Sequence, residues 1–155
     1  MKLALSIGEE RTTIVQESLR HRVELAIGWK DLVRRFFKHD PPTPFELEAA
    51  IAAVEDEIMR IRHEVPSQSS VETRDPAIVE IAIAGGAAPG DEMIFALEAV
   101  EQCFQRLVAR PAAMPDNPRF RSTLLILREL MHHFGFRELR ISRARFPPHE
   151  SNESQ

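Results

Sequence analysis

The stretch LAIGWKDLVRRFFKHDPPTPFEL, residues 25–47, decides the fold. Gly28 ends an extended pattern, and apolar residues then recur at helical spacing until Asp40, where two prolines stop the helix. Thr43 can cap a second helix, because proline occupies the first helical position after it and a glutamate closes the capping box. The stretch therefore predicts a strand end, a short helix, a proline turn and a second helix that continues to about His63.

Three strands are predicted before this stretch. The residues from Leu3 to Ile7 and from Thr12 to Val15 suit strands, and the four residues between them are few enough for a hairpin. From Leu19 to Ile27 apolar and charged residues alternate, as in a strand with one buried face. The first part of the chain is therefore predicted to be a three-stranded meander.

A polar connector follows the second helix. Because prolines bound the segment from Pro66 to Pro76, it is interpreted as a mobile loop. The nearly continuous apolar run from Ile78 to Ala84 is typical of a strand covered on both faces, and it is predicted to be the central strand. The segment from Gly85 to Asp91 is then predicted to turn into a helix, with Asp91 as its natural cap.

Two helices and a last strand complete the prediction. The first helix has a buried stripe that starts at Ile94, and the second ends at Gly135. Leu139 and Ile141 predict a short final strand, and residues 147–155 form a polar tail that is expected to be disordered. The predicted element order is β-β-β-α-α-β-α-α-β, within one domain of residues 1–146.

Composition restricts the classes of function. The net charge of -4 provides no positive field for holding nucleic acid, and no segment is long and apolar enough to predict a membrane span. The only cysteine, Cys103, cannot form an internal disulfide or a cysteine-based metal site, which fits the cytoplasm. A cytoplasmic protein that binds neither nucleic acid nor membrane is expected.

Residues 25–47 resemble a segment of the exopolyphosphatase/guanosine pentaphosphatase (Ppx/GppA) family, in which a Leu-Gly pair leads into a helix, a proline turn and a capped helix. The element order resembles the ribonuclease H-like lobe of the actin, sugar-kinase and chaperone superfamily. The resemblance covers Leu3 to Ser142 and implies the second lobe of such a protein, an α/β lobe with a mixed sheet and helices packed on it.

The resemblance also implies the positions of two phosphate-binding loops. Residues 6–13 occupy the place of the family's Asp-Ile-Gly-Gly-Gly-Ser-Thr-Glu loop, and residues 84–87 occupy that of its Gly-Gly-Thr loop. The implied phosphate-binding residues, in degenerate form, are Gly8, Thr12, Thr13, Gly85, Gly86 and Ala87.

Departures from the family pattern predict that these loops bind phosphate weakly or not at all. Glu9 and Glu10 replace two glycines whose bare amides would surround phosphate oxygens, and Ala87 replaces a threonine hydroxyl. The family's catalytic carboxylate lies on the first lobe, which the resemblance does not cover. No catalytic residue and no metal ligand is therefore assigned, and no cofactor is expected unless a phosphatase activity requires magnesium.

Several residues have competing interpretations. Glu9 and Glu10 are either an acid/base pair or, as favoured, an acidic turn in water, because neighbours on a hairpin point to opposite sides. His132 and His133 lie about 100° apart on a helix, which argues against a two-histidine metal site and favours one packed and one exposed ring. Gly85 and Gly86 are either a strand-to-helix turn or an anion site.

Three functions follow from the resemblance. The favoured hypothesis is a catalytically degenerate exopolyphosphatase-like lobe that acts through self-association or a protein partner. The first alternative is a phosphatase that hydrolyses inorganic polyphosphate or guanosine pentaphosphate, with its cleft rebuilt by a dimer. The second is a sensor that binds phosphate or a nucleotide through Gly85 and Gly86.

Overall fold

The computed structural model describes residues 2–67 and 69–143. Capping, apolar periodicity and turn residues divide this part of the chain into six strands and five α-helices. The strands are β1 (Lys2–Ile7), β2 (Thr12–Gln16), β3 (His21–Leu25), β4 (Ser70–Thr73), β5 (Glu92–Ala96) and β6 (Glu138–Ser142). The helices are α1 (Trp29–Phe36), α2 (Pro44–Ile61), α3 (Pro76–Ala84), α4 (Leu97–Ala109) and α5 (Pro118–Phe134).

The strands form one mixed sheet in the order β3-β2-β1-β4-β6-β5. The pairs β1–β4 and β4–β6 are parallel, whereas β2, β3 and β5 run antiparallel to their neighbours. The mixed α/β fold class is confirmed, as are the three-stranded meander, the first two helices and the final strand. The proposed tail and the domain end at residue 146 lie outside the described residues.

The sheet buries one face. Alternate residues on every strand enter the core, as the buried Leu3, Leu5 and Ile7 on β1 illustrate. The opposite face carries charged pairs such as Lys2 with Glu72 on the neighbouring strand. Helix α5 contacts all four other helices, and most of its residues are buried. The molecule therefore has two layers, the sheet and the helices, with α5 at the centre of the helical layer. Within the described residues no helix is long and apolar enough to cross a membrane.

The prediction of a central strand from Ile78 to Ala84 is wrong, because this run forms α3. The Asp75 side chain accepts a hydrogen bond from the Ala77 amide, and Pro76 occupies the first helical position. The central strand is instead β4, inside the segment that was interpreted as a mobile loop. A short apolar run has no periodicity that separates a buried strand from a buried helix.

The predicted helix after Asp91 starts later than expected. Residues 92–96 form β5 at the sheet edge, and α4 begins only at Leu97. Asp91 is therefore not a helix cap, and its carbonyl instead accepts a hydrogen bond from the Arg143 amide. The observed order has one more helix and one more strand than predicted, between β4 and α4.

Glu46 joins the start of α2 to the end of α1. Its carboxylate accepts hydrogen bonds from the Thr43 amide at 2.9 Å, the Lys38 amide at 3.1 Å and His39 Nδ1 at 2.8 Å. The Thr43 hydroxyl reciprocates by accepting from the Glu46 amide at 3.1 Å, which completes the predicted capping box. Burial opposes ionisation of this carboxyl, but the three hydrogen bonds outweigh it and lower its pKa from 4.5 to about 2.

This depressed pKa predicts a specific loss of stability in acid. Since the folded pKa lies below the ordinary value, Glu46 stabilises the fold above about pH 4.5, and this stabilisation is lost as the pH falls toward 2. We expect Glu46→Gln to lower the urea midpoint at pH 7 and to have little effect near pH 2. Glu48→Gln, on the exposed side of the same helix, is the control. Equal effects of Glu46→Gln at both pH values would contradict this role.

Candidate functional site at the carboxyl ends of the central strands

The candidate site lies where the adjacent parallel strands β1 and β4 end. In open α/β sheets, ligands bind in the crevice beyond the carboxyl ends of the strands. Two loops meet there, the hairpin of residues 8–11 after β1 and the short turn of residues 74–75 after β4. The two central strands thus bring a hairpin and a helix N-terminus together at their carboxyl ends.

A carboxylate occupies this edge. Asp75 Oδ2 accepts a hydrogen bond from the Ile7 amide at 3.1 Å, and Oδ1 accepts one from the Ala77 amide at 3.0 Å. The side chain is only 6% exposed, and the nearest guanidinium nitrogen of Arg119 lies 3.8 Å away. The Thr73 hydroxyl fixes the turn by accepting from the Asp75 amide and donating to the Leu5 carbonyl. The Asp75 carboxylate therefore accepts one amide hydrogen bond from β1 and one from α3.

The hairpin after β1 caps helix α1. The Gly8 carbonyl accepts a hydrogen bond from the Trp29 amide, and the Glu9 carbonyl accepts from the amides of Lys30 and Asp31. The Gly8 amide donates to the Arg11 carbonyl at 2.8 Å. The amides that an anion would need at the start of α1, and that of Gly8 itself, are therefore already bonded within the protein.

Gly28 makes this contact sterically possible. A Cβ atom at Gly28 would lie 2.4 Å from the Glu9 backbone carbon and oxygen and from the Gly8 carbonyl oxygen. The Gly28 backbone is extended, with φ -129°, so the requirement is for space rather than for an unusual conformation. Only glycine allows the hairpin to lie this close to the start of α1.

The acidic residues of the hairpin are solvated. The side chains of Glu9 and Glu10 are 63% and 68% exposed, at 3.9 Å from Lys30 Nζ and 3.7 Å from an Arg34 nitrogen. The interpretation of an acidic turn in water is confirmed. Thr12 is fully buried and its hydroxyl donates to the Ile27 carbonyl, so its visible role is structural. Thr13 is half-buried on the opposite face of β2.

The second predicted loop lies elsewhere. Gly85 and Gly86 follow the carboxyl end of α3, nine residues and about 13 Å of helix away from Asp75. The amides of Gly85, Gly86 and Ala87 donate to the carbonyls of Ile81, Ile83 and Ala82, respectively. The interpretation of these glycines as the entrance to a helix is wrong, and the two predicted loops do not come together.

Two groups of residues in the structure are not among the site residues predicted from the sequence. Asp75 was placed in a loop, although the Asp-Pro pair is the same type of cap signal as Thr43 and its following proline. The other group joins α2 to α5, where His133 Nε2 lies 3.0 Å from Glu55 Oε2 and 3.4 Å from Glu129 Oε1. The prediction for the neighbouring histidines is confirmed, because His132 is exposed and His133 is half-buried.

The fold of this chain is similar to that of about half of several solved structures. The chain superposes on the Aquifex aeolicus PPX-GPPA enzyme with a TM-score of 0.74 at 18% identity, over 91% of this chain and 52% of that one. It superposes on an exopolyphosphatase from Cytophaga hutchinsonii with a TM-score of 0.70 at 13% identity, over 92% of this chain and 53% of that one. An exopolyphosphatase-like protein gives 0.72 at 12% identity, over 91% and 54%.

These matches confirm the expected fold, that of one ribonuclease H-like lobe of the Ppx/GppA structures. The chain spans about half the length of the solved structures that it matches. No family model and no curated protein matches its sequence. At this level of identity the comparison establishes the fold, and the activity has to be argued from the site itself.

We predict that Gly28→Ala strongly destabilises the protein. The added methyl group would overlap the Glu9 backbone, which cannot move without breaking its bonds to α1, so a loss of about 1–3 kcal/mol or more is expected. Gly90→Ala is the control, because a Cβ there would lie an ordinary 3.5 Å from the Glu92 carbonyl oxygen. Urea unfolding measures both variants, and equal stability of the two would contradict the close contact.

Proposed function

We propose that this chain is a catalytically degenerate exopolyphosphatase-like lobe that works by association, with a second copy of itself or with another protein. The observation that carries the proposal is the Asp75 carboxylate, which holds the Ile7 and Ala77 amides at the edge where a ligand of this fold would bind. The lobe would then act by binding a partner rather than by catalysing a reaction.

A phosphate ion would have to displace this carboxylate. Both anions need the same amides, and like charges at one site repel each other. A helix cap contributes about 1 kcal/mol, whereas millimolar binding requires about 4 kcal/mol, so an entering phosphate would need several further good hydrogen bonds. Because the hairpin carbonyls have already taken the amides of α1, the described residues offer few free amides at this edge.

The nearby acids are poorly placed for chemistry. A general base or nucleophile is usually held in a partly buried position where its surroundings tune its pKa. Glu9 and Glu10 are instead mostly exposed and lie next to Lys30 and Arg34. The third carboxylate, Asp75, is occupied as a structural cap. This arrangement supports the absence of an independent hydrolytic centre.

The edge strand β5 supports association. Among the described residues β5 has a strand neighbour on one side only, and Ile94 in its middle is 50% exposed. An edge with unpaired backbone groups and an exposed apolar side chain is a template for pairing with another strand. Ile83 on α3 is another exposed apolar residue, at 43%.

A phosphatase with a cleft rebuilt by a dimer is the second candidate. Its support is the phosphatase-like fold together with basic side chains around the site, where Arg119 approaches Asp75 and Arg74 is exposed in the turn. A second copy would have to supply the carboxylate, and magnesium would be needed only in this case. Release of phosphate from polyphosphate, lost on substitution of Arg119, would favour this candidate over the first.

Removing the Asp75 carboxylate should create a phosphate site. In Asp75→Ala the Ile7 and Ala77 amides lose their acceptor, so we expect phosphate to raise its melting temperature and leave the wild type unchanged. For a Kd of about 1 mM, about 10 mM phosphate would stabilise the variant by about 1.4 kcal/mol. Differential scanning calorimetry at constant ionic strength measures the effect.

Asp75→Asn is the matched control, because it fills the same space and keeps an acceptor for the Ala77 amide. We expect phosphate to have no effect on its melting temperature. Saturable shifts of the Ile7 and Ala77 amide resonances of the wild type at micromolar phosphate would contradict the proposal. They would support phosphate binding by the native site.

Association through β5 predicts a dimer in solution. Sedimentation should show a species of twice 17.7 kDa that dissociates in Ile94→Glu, because edges that pair antiparallel about residue 94 would place the two new carboxylates opposite each other, and like charges there repel. Leu19→Glu is the control, since Leu19 is equally apolar and 68% exposed but precedes β3 at the opposite edge. A monomer at all accessible concentrations would rule out self-association and leave only another protein as the partner.

A further inference from the structure

We propose that Glu55, Glu129 and His133 form a binding site for one divalent transition-metal ion of the zinc class, between α2 and α5. The inference is independent of the proposed function. His133 lies 14 residues along α5 from Arg119, roughly 21 Å of helix away from the Asp75 site. No metal ligand is expected from the sequence, so this site departs from that expectation.

The three donor atoms lie close to one another. His133 Nε2 lies 3.0 Å from Glu55 Oε2 and 3.4 Å from Glu129 Oε1, and the three donors all lie within 4.8 Å of one another. Around zinc, nitrogen and oxygen ligands at about 2.0–2.2 Å in tetrahedral directions stand roughly 3.3–3.5 Å apart. An ion could therefore be accommodated at their centre with side-chain adjustments and without movement of the helices.

Burial of Glu129 favours a cation beside it. Its side chain is 4% exposed, and its Oε1 atom faces His133 in a cluster that also contains the Glu55 carboxylate. Arg128 donates to Glu129 Oε2 at 2.8 Å and to Glu101 Oε1 at 2.6 Å, whereas Glu129 Oε1 lies 3.4 Å from His133 Nε2. A buried carboxylate that faces a second one is costly unless positive charge compensates both.

The mixed donor set indicates the type of ion. Magnesium and calcium prefer shells made of oxygen atoms, whereas imidazole suits zinc, cobalt and similar ions. Zinc accepts both imidazole nitrogen and carboxylate oxygen ligands, and a site with three protein ligands leaves the remaining position open to water. The sequence spacing supports this geometry, because Glu129 and His133 stand four residues apart on one face of α5.

A groove gives the ion and its water access. An open cavity of about 820 Å³ reaches the cluster at His133 and is lined also by His63, His132 and Met59. The Glu55 and His133 side chains are 42% and 24% exposed, so the cluster is reachable from solvent while Glu129 forms its buried floor. The competing explanation is that His133 bonds the two carboxylates directly, without any metal.

Titration of the full chain with Co²⁺ and Zn²⁺ after treatment with a chelator tests the proposal. We expect one Co²⁺ per chain, bound at micromolar concentration, with visible absorption bands typical of a low-coordinate site and displaced by Zn²⁺. Glu129→Gln and His133→Gln should each weaken binding by at least about tenfold. His132→Gln makes the same change one residue earlier and should leave the affinity unchanged.

The possible results separate the two explanations. Absence of saturable Co²⁺ binding by the wild type would overturn the site and leave the direct contact of His133 with the two carboxylates. Binding that persists in both variants but is lost in His63→Gln or His132→Gln would also overturn it. If Glu129→Gln does not fold, as judged by circular dichroism, Glu55→Gln at the more exposed position serves instead, and an unchanged affinity there would count against the site.

Discussion

The structure depends on one charged contact, the Asp75 carboxylate between the amides of Ile7 and Ala77. Through it the end of β1, the turn after β4 and the start of α3 form a single hydrogen-bonded unit. A buried carboxylate requires such partners, and a helix N-terminus provides both hydrogen-bond donors and favourable partial charge. The carboxylate that lies in the candidate ligand site thus also connects β1 to the start of α3.

The sequence predicted the elements that carry local signals. Thr43 and Glu46 predicted the start of α2, because the capping box is completed within four residues. Gly135 predicted the end of α5, because the chain turns there with φ 72°. The apolar run of α3 could not be identified from the sequence, because seven residues rich in isoleucine and alanine fit either a buried strand or a buried helix. The Asp-Pro pair before it would have decided for the helix.

The candidate sites were less predictable, because their residues are distant in sequence. Ile7 and Asp75 meet only when β1 and β4 pair, and the pairing of β4 could not be recognised in a polar segment of four residues. Glu55 and Glu129 come from different helices that pack across the centre of the molecule. Only the four-residue spacing of Glu129 and His133 was visible beforehand, and such pairs are common on helices without any ligand.

The two sites together show how α5 organises charge along the molecule. Near its start Arg119 lies over the Trp29 ring, 5.2 Å from the ring centre, and approaches the Asp75 carboxylate. At its other end His133 lies in the last turn, where unpaired carbonyls concentrate negative partial charge and favour a cation. An ion bound there would complement the helix end as well as the two carboxylates. Near the start of α5, the Asp75 carboxylate already occupies the amides that an added anion would need. Near its end, the carboxylates around His133 and the helix terminus both favour a bound cation.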